Sequence, residues 1–318
     1  MSLVVFGSIN LDFVAQTPRL PLPGETLQGH RFFTVPGGKG ANQAVATARL
    51  GATTYMLGRV GADQWGQELL ASLQGAQVQT DGVQITPEVS SGVAIITVRG
   101  PAENIEGEKT RGENTIIVIP GANGQVTVAD AEALASLLPE TGALLLQLEI
   151  PMPAILAVAR LAHQARVSVI LDPAPAPRVL PAELYPWVDV ITPNETEASQ
   201  LVGLEMTDES AWKTAGQFFL QKGVKNVVIK LGGRGVFAMN QSEQFWLKPF
   251  PVKVVDTVAA GDAFNGAMAV ALDRGLSFRE SVTWGAAAGA LATTISGAQP
   301  SLPDWKSFEQ FLANAQFR

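Results

Sequence analysis

Short apolar runs rich in β-branched residues alternate with longer amphipathic stretches along most of the chain. Runs of the first kind are typical of buried strands, and stretches of the second kind are typical of helices. The predicted strands are Leu3–Gly7, Thr53–Leu57, Ala143–Leu148, Val167–Leu171, Val188–Ile191 and Asn226–Lys230, and the predicted helices are Lys39–Leu50, Gln64–Gln74, Ala154–Gln164, Gly261–Leu272 and Phe278–Ile295. This order predicts an α/β fold with three αβα layers, in which helices cover both faces of a mostly parallel sheet.

Three apolar segments break this rhythm, because no helix separates them from the neighbouring loops. They are Thr26–Val35, Ser91–Val98 and Thr115–Ile119, and each is typical of a strand. We expect them to form a small second sheet that covers a site. The Pro and Gly clusters are too short for interdomain linkers, so residues 1–318 are predicted to form one domain, with the small sheet near residues 11–35 and 91–120.

Composition narrows the classes of function. The chain has 318 residues, of which 47% are hydrophobic, and it has no cysteine, which excludes disulfides and thiolate chemistry. Its net charge is −7 without a basic block, and this argues against nucleic-acid binding. It has no apolar run long enough to cross a bilayer, and its first residues lack the features of a signal peptide. We therefore expect a cytoplasmic protein without a membrane partner.

The strongest chemical motif is the segment Asp256–Gly266, in which small residues precede a helix. Unpaired amide groups at a helix N-terminus, together with the helix dipole, can hold a transferring phosphoryl group. Ala259, Ala260 and Gly261 would supply these amides, and the Asp262 carboxylate beside them could accept a proton from an attacking hydroxyl. The alternative is that Asp262 only complements the helix dipole.

Two further segments come next, the glycine-rich Pro36–Gln43 and the polar segment Gly7–Asp12. Pro36–Gln43 would let the backbone approach a ligand closely, with Lys39 for a phosphate and Asn42 for a hydroxyl, although it could simply be a flexible turn. It lacks the spacing of a phosphate-binding P-loop. Gly7–Asp12 follows the first predicted strand, where α/β sheets place their ligands, so Asn10 and Asp12 could bind sugar hydroxyls.

Three further features allow two interpretations each. Asn194 and Glu197 have the spacing of a capping box, but Glu197 could also face the water shell of a phosphate-bound Mg²⁺. Leu231–Gly235 could cradle nucleotide phosphates or form a hairpin turn. Glu149 ends a buried strand and is a site candidate for that reason. With only two histidines, acid–base or metal chemistry based on histidine is not expected.

Taken together, the segments Pro36–Gln43 and Asp256–Gly266 resemble the two signatures of the ribokinase family, also called the phosphofructokinase-B family of carbohydrate kinases. The resemblance extends from Leu3 to about Leu302. It implies a ribokinase-like fold with a small β-sheet lid, and phosphorylation of D-ribose at O5 by ATP. Segments such as Asp172–Ala176 and Gly297–Ser301 resemble those of the ribose-specific members.

The resemblance also implies a role for each matching residue. The sugar would be bound by Asn10, Asp12, Gly38, Lys39, Asn42, Glu149 and Asp262. Asp262 would act as the base, and Ala259, Ala260 and Gly261 would form the anion hole. The nucleotide site would be lined by Asn194, Glu197, Lys230, Gly232 and Gly235. A monovalent cation, usually K⁺, would bind the Asp256 carboxylate and the backbone oxygens of Val258, Ala292, Ile295, Gly297 and Ser301.

ATP with Mg²⁺ and a small sugar are therefore the expected ligands, and pairing through the lid into a homodimer is the expected assembly. Three departures from the family pattern concern Lys230, which replaces a common Thr, Gly285, which replaces a His of some relatives, and the polar stretch Pro101–Glu113, which is longer than usual. Two other functions stay open at this point: a kinase for deoxyribose or fructose, and a regulator that binds sugar or nucleotide without catalysis. A dinucleotide-dependent oxidoreductase is set aside, because Gly7 begins no Gly-x-Gly-x-x-Gly turn.

Overall fold

The computed structural model describes residues 1–99 and 114–316 of the chain. Within them, thirteen strands are β1 Ser2–Phe6, β2 Asn10–Thr17, β3 Arg31–Gly37, β4 Thr54–Gly61, β5 Gln79–Thr86, β6 Gly92–Arg99, β7 Asn114–Ile119, β8 Thr141–Leu146, β9 Ser168–Leu171, β10 Val190–Ile191, β11 Asn226–Lys230, β12 Val236–Asn240 and β13 Gln244–Leu247. The helices are α1 Lys39–Arg49, α2 Gln64–Gly75, α3 Val128–Ala133, α4 Met152–Gln164, α5 Glu195–Val202, α6 Glu209–Gln221, α7 Ala260–Asp273, α8 Phe278–Ala292 and α9 Trp305–Gln316.

A nine-stranded sheet forms the centre, in the order β13-β12-β11-β10-β9-β8-β1-β4-β5. The seven strands from β11 to β5 run parallel, and β12 and β13 extend the sheet as antiparallel neighbours. Because parallel strands all end at the same edge, the loops after β1, β8, β9, β10 and β11 meet there, which is where α/β sheets bind ligands.

Successive residues of the central strands point to opposite faces of this sheet. In β1, Leu3 and Val5 belong to a core shared with α1, α2, α7, α8 and α9, whereas Val4 and Phe6 belong to a second core shared with α3 to α6. Two separate apolar cores on one sheet confirm the predicted three-layer αβα arrangement. Among the described residues, none of the helices has the length and apolarity to span a membrane.

A second, four-stranded sheet has the order β3-β2-β6-β7. Its rows of directly paired residues alternate between two faces. One face carries the row Asp12, Ala94 and Val118, and the next row, on the opposite face, carries Phe13, Ile95 and Ile117. We call this sheet the lid, because Asn10 and Asp12 on its first face lie beside the edge where the central strands end.

The structure confirms the strand and helix order and the small sheet, with three corrections. The segment predicted as a strand over Thr26–Val35 forms one only over Arg31–Gly37, so this strand also includes Pro36 and Gly37 of the glycine-rich segment. Asn10 and Asp12 lie in β2, which was not among the predicted strands, although Asp12 falls within the stretch 11–35 that was assigned to the small sheet. The helix predicted to reach Ile295 ends at Ala292. The stretch Pro101–Glu113 lies outside the described residues, and the single-domain assignment stays a prediction.

Candidate active site

A cavity of about 690 Å³ opens at the carboxyl edge of the central sheet. It lies between the start of α7 and the loops that follow β9, β10 and β11. Its polar lining residues are Lys39, Asp172, Asn194, Glu197, Lys230, Thr257, Asp262 and Thr293. Gly232, Gly233 and Gly235 lie on one side of it, and Val236, Pro249, Phe250, Val254 and Phe264 add apolar surface. A mostly apolar cleft with a few converging polar groups is typical of a small-molecule site.

The start of α7 contains Ala259, Ala260 and Gly261, which were predicted to bind an anion. Ala259 caps this helix with φ 58° and ψ 7°, in the left-handed region, and this turns the chain sharply into the helix. The Ala260 amide donates to the Thr257 carbonyl oxygen at 3.3 Å. Within the described part of the chain, the amides of Gly261 and Asp262 have no partner, so they are free to donate to an anion.

Asp262 is buried in the first turn of α7 and is held by two amide side chains. Asn42 donates to Oδ2 at 2.9 Å, and Gln43 donates to Oδ1 at 3.1 Å. Burial raises the pKa of Asp262 to about 6, with a further contribution from the negative charge of Asp172, although Lys39 opposes the shift. A carboxylate with a pKa closer to neutrality is a stronger base than an ordinary aspartate and is still ionised at pH 7.

Gln43 connects Asp262 to a buried ion pair. Its Nε2 also donates to Asp172 Oδ2 at 3.1 Å, and its Oε1 accepts from Gln147 Nε2 at 2.7 Å. Asp172 Oδ1 in turn pairs with Lys230 Nζ at 2.9 Å. The Lys230 ammonium lies 3.4 Å from the position that a Cβ on Gly261 would occupy, so this cation sits beside the anion-binding turn.

Lys39 begins α1 and is surrounded by carboxylates. Burial acts to lower the pKa of Lys39, but the charges of Asp172, Asp262, Glu149 and Glu197 outweigh it and raise the pKa above its ordinary value. The ammonium therefore stays charged over the whole physiological range. Such a cation can attract both a phosphoryl group and an electron-rich hydroxyl.

Glu149 follows β8 and lies at the N-terminal end of α1, beside Lys39. Its Oε2 accepts from the Ser8 hydroxyl at 2.5 Å and from the Lys39 amide at 3.2 Å. Gly38, just before the helix, has φ 87°, and a Cβ there would meet the Asn10 nitrogen at 2.7 Å. Only glycine fits both the backbone angle and this close contact.

The lid adds two polar side chains to the site, those of Asp12 and Asn10. A Cβ on Gly37 would lie 2.4 Å from Asp12 Oδ2, so the absence of a side chain at Gly37 leaves room for this carboxyl. Burial raises the pKa of Asp12 to about 7, helped by the charges of Glu149 and Asp262. Asn10 is buried, and its Oδ1 accepts from Asn123 Nδ2 at 2.7 Å.

The residues predicted to line a nucleotide site have both a structural role, in a helix cap or a hairpin turn, and a position on the cavity. Asn194 and Glu197 form a complete capping box on α5, and both also line the cavity. Burial raises the pKa of Glu197. Gly232 and Gly235 lie in the turn between β11 and β12, which is a hairpin, and they too line the cavity.

The residues predicted to hold a monovalent cation lie in two segments that Asp256 ties together. Its Oδ1 accepts from the Val258 amide at 3.1 Å, and its Oδ2 accepts from the Gly297 amide at 2.9 Å. The carbonyl oxygens of Ala292 and Ala298 accept hydrogen bonds from Ile295 and Ser301 in the same loop. The described residues contain no cluster of three or more acidic or histidine side chains suited to a metal.

Four residues of the site were not assigned a role from sequence: Gln43, Asn123, Gln147 and Asp172. Gln43 and Asp172 lie in segments that had been singled out, so their position was signalled although their contacts were not. Asn123 lies in a short 3-10 turn after β7, and nothing in its local sequence indicates that it reaches Ile9 and Asn10. Gly285 packs against the ring of Phe264, and a Cβ added to Gly285 would lie 3.0 Å from that ring. Gly285 does not line the cavity.

Comparison with known proteins agrees with this geometry. The profile of the pfkB family of carbohydrate kinases matches residues 1–305. The chain belongs to this family. It is 37% identical over 314 residues to the ribokinase of Haemophilus influenzae, with 99% of each chain covered. It is 35% identical over 312 residues to the ribokinase of Bacillus subtilis, with 98% of this chain and 99% of the relative covered.

Solved structures of pfkB kinases extend the similarity to three dimensions. The ribokinase of Thermotoga maritima superimposes with a TM-score of 0.86 at 36% identity, over 98% of this chain and 99% of the other. The ribokinase of Arabidopsis thaliana, solved as a complex with ribose and ATP, gives the same TM-score and identity, with 98% of each chain covered. The resemblance inferred from the two signature segments is thereby confirmed.

Proposed function

We propose that this pfkB kinase transfers the γ-phosphoryl group of ATP to the 5-hydroxyl of D-ribose, giving D-ribose 5-phosphate and ADP. The observation that carries the proposal is the position of Asp262. Its buried carboxylate lies in the first turn of α7, next to the free amides of Gly261 and Asp262, and accepts hydrogen bonds from Asn42 and Gln43 of α1. Full-length similarity to ribokinases supports the same substrate pair.

The reaction needs a base that removes the proton of the attacking hydroxyl as the oxygen bonds to phosphorus. Asp262 is ionised at neutral pH, and Asn42 and Gln43 fix the direction of its carboxylate. The proton passes to Asp262, and the ADP oxygen leaves on the opposite side of the phosphorus. The amides of Gly261 and Asp262 donate to the phosphoryl oxygens, whose negative charge must be held in the transition state.

Two ammonium groups complete the phosphate side of the cavity. Lys39 and Lys230 both line it; Lys230 pairs with Asp172, and the charge of Asp172 also acts on Lys39. Both oxygens of Glu197 already accept from Asn194, yet each keeps a further lone pair. Glu197 therefore fits as a partner for water molecules around Mg²⁺, which prefers oxygen ligands and keeps several waters. Bound Mg²⁺ would supply positive charge for the ATP phosphates.

The sugar side is built from the lid and from α1. Asn10, Asp12, Lys39, Asn42 and Glu149 all lie within this region, together with the Gly38 backbone. Asn42 Oδ1 is buried and has no partner among the described residues. A hydroxyl donor of a bound sugar would satisfy this acceptor, and buried polar groups without a partner are rare in folded proteins.

A monovalent cation, for which K⁺ is our candidate, would bind at Asp256 and the backbone oxygens of Val258, Ala292, Ile295, Gly297 and Ser301. The fit rests on Asp256, which joins the two segments that contain these oxygens. An ion there would stiffen the turn before Ala259 without touching the substrate. Replacing K⁺ by tetramethylammonium should then reduce turnover, and equal activity in both salts would rule out a cation requirement.

The lid also suggests a homodimer. Ile95 and Ile117 are directly paired on the face opposite Asp12, and they are 45% and 61% exposed in a single chain. A second copy of the lid would cover this apolar surface, and apolar patches of this kind often mark interfaces. The dimer belongs to the proposal and is tested separately below.

The test of the function is an ADP-release assay on the purified protein with ATP, Mg²⁺ and K⁺. It should be run with ribose, deoxyribose, fructose and adenosine, and Asp262→Asn serves as the control. We expect ADP release that depends on ribose and is lost in the variant. Turnover with another sugar but not with ribose would assign a different substrate to the kinase. No turnover with any of the four compounds would contradict the kinase activity.

A further inference from the structure

Four side chains connect the phosphate side of the cavity to the base without a break. They run from Lys230 to Asp172, from Asp172 to Gln43 and from Gln43 to Asp262, at donor–acceptor distances of 2.9, 3.1 and 3.1 Å. Asp172 is 2% exposed, and Asp262 and Gln43 are 5% and 1% exposed. Hydrogen bonds with this degree of burial hold their groups firmly, because no water can replace a lost partner.

Gln43 is at the centre of this chain. Its amide nitrogen has two hydrogens, and it donates to both carboxylates, while its oxygen accepts from Gln147 at 2.7 Å. Every hydrogen-bonding direction of this amide is thus in use, apart from one lone pair. Two buried carboxylates that share one donor also repel each other, and Lys230 offsets the charge of Asp172.

We propose that Gln43 and Asp172 are positioning residues for the base, in which Gln43 holds the Asp262 carboxylate and the Asp172–Lys230 ion pair holds Gln43. The inference rests on the proposed function, since it takes Asp262 as the base. Neither residue has to touch the sugar or ATP. The nucleotide side and the base are then coupled, because a phosphate that draws Lys230 away from Asp172 also changes the surroundings of Asp262.

The surroundings of Asp262 make this coupling measurable through pH. The charged groups that face it are Lys39 from α1, Asp172 from the end of β9 and Asp12 from β2, and Lys230 follows beyond Asp172. Removing the charge of Asp172 should move the acid limb of kcat to lower pH. Removing Lys230 alone leaves Asp172 unpaired and should move the limb to higher pH.

The experiment measures kcat against pH at saturating ATP and ribose for Asp172→Asn, Lys230→Met and the double variant. We expect opposite shifts of the acid limb in the single variants, and in the double variant a shift that differs from the sum of the two, which is the sign of direct coupling. Lys225→Met is the matched control, since Lys225 pairs with Asp189 before the same strand but is 62% exposed. Its pH profile should match that of the wild type.

Gln43→Met tests the central contact directly. We expect kcat to fall by about ten- to a hundredfold, because small errors in the position of a catalytic group are costly, with little change in the KM for ribose. If this variant fails to fold, Asp172→Asn, which keeps the shape of the side chain, carries the test. Wild-type limbs in both single variants, or a kcat of Gln43→Met equal to wild type, would overturn the inference.

The proposed function and the positioning role are contradicted by different results. If Asp262→Asn retains normal turnover, the proposed function loses its base, whatever the other variants do. If Asp262→Asn is inactive while the Asp172, Lys230 and Gln43 variants keep the wild-type kcat and pH profile, the base stands and the positioning role is wrong. Thermal unfolding of each variant separates a lost fold from a lost function.

Discussion

The region around Asp262 and the lid differ in the kind of side chain that each buries or exposes. Around Asp262, polar side chains are buried and bonded to one another, and the pKa of the base is shifted by its surroundings. On the lid, Ile95, Ile116 and Ile117 are apolar and exposed. Buried polar groups without partners and exposed apolar ones are each unfavourable.

This difference indicates what each region needs in order to be complete. Most polar groups of the base region are bonded to one another, and Asn42 Oδ1 is one of its few acceptors without a donor among the residues that the structure describes. The lid is incomplete in a single chain, because both faces of β7 are exposed. We therefore expect substitutions in the base region to change turnover. Substitutions on the lid face that carries Ile95 and Ile117 should instead change assembly.

The largest expected effect comes from Asp262→Asn. We expect kcat to fall by about 10²- to 10⁴-fold, the range that a general base contributes. The fold should survive, since the raised pKa of Asp262 means that ionising it at neutral pH disfavours the folded state. Stability from this group is greatest at low pH and falls as pH rises through about 6. Thermal unfolding at pH 8 should therefore show a Tm no lower than that of the wild type.

Near-normal turnover in the Asp262→Asn variant would contradict the assignment of Asp262 as the base. It would mean that the polar network around Asp262 serves packing rather than chemistry. A loss of turnover accompanied by a large drop in Tm would instead show that the charge holds the fold together. Only a loss of kcat with an intact fold supports the distinction between the two regions.

The second effect concerns the lid. Ile117→Asp places a charge on the exposed lid face that carries Ile95 and Ile117. It should weaken a lid-mediated dimer by about 30-fold, the loss expected for an interface residue worth about 2 kcal/mol. Sedimentation equilibrium measures this dissociation constant. Ile85→Asp is the matched control, because Ile85 is 59% exposed on the edge strand of the central sheet and not on the lid.

Equal association in wild type and Ile117→Asp would contradict assembly through this face. Equal weakening by Ile117→Asp and Ile85→Asp would place the interface elsewhere or make it nonspecific. A monomeric wild type would leave the apolar face to be covered by something other than a second copy.

The sequence predicted the base region better than the lid, for a physical reason. Asp262 follows small residues at a helix start, which is a local signal that survives without tertiary information. Asn10 and Asp12 were singled out too, and Asp12 falls in the stretch predicted to join the small sheet, but β2 itself was not predicted as a strand, because it pairs with β6 far along the chain. Strand preference depends on such partners more than helix preference does.

Long-range hydrogen bonds were the least predictable part of the site. Gln43 meets Asp172, which lies 129 positions away, and Asn123 meets Asn10 across 113 positions. Local sequence contains no trace of such contacts. The capping box of Asn194 and Glu197 shows the contrary case, since a spacing of three residues predicted it and the structure confirms it.

Asp12 offers the smallest but most diagnostic effect, because it belongs to the lid by its backbone and to the base region by its charge. Its pKa is raised to about 7 by burial and by Glu149 and Asp262, so it titrates near neutrality instead of near pH 4. An ionised carboxylate accepts a hydroxyl hydrogen bond more strongly than a protonated one. Ribose affinity should therefore rise with pH, by up to about tenfold between pH 6 and 8.

Calorimetric titration of ribose in the Asp262→Asn background isolates this effect, because the second titrating carboxylate is then absent while burial and Glu149 still act on Asp12. The added variant Asp12→Asn should bind ribose more weakly and with no dependence on pH. A pH-dependent affinity that persists without Asp12 would assign the titration to another group. A ribose affinity that does not depend on pH in either protein would mean that the Asp12 carboxylate does not bind the sugar. The lid would then contribute to the sugar site only through its shape.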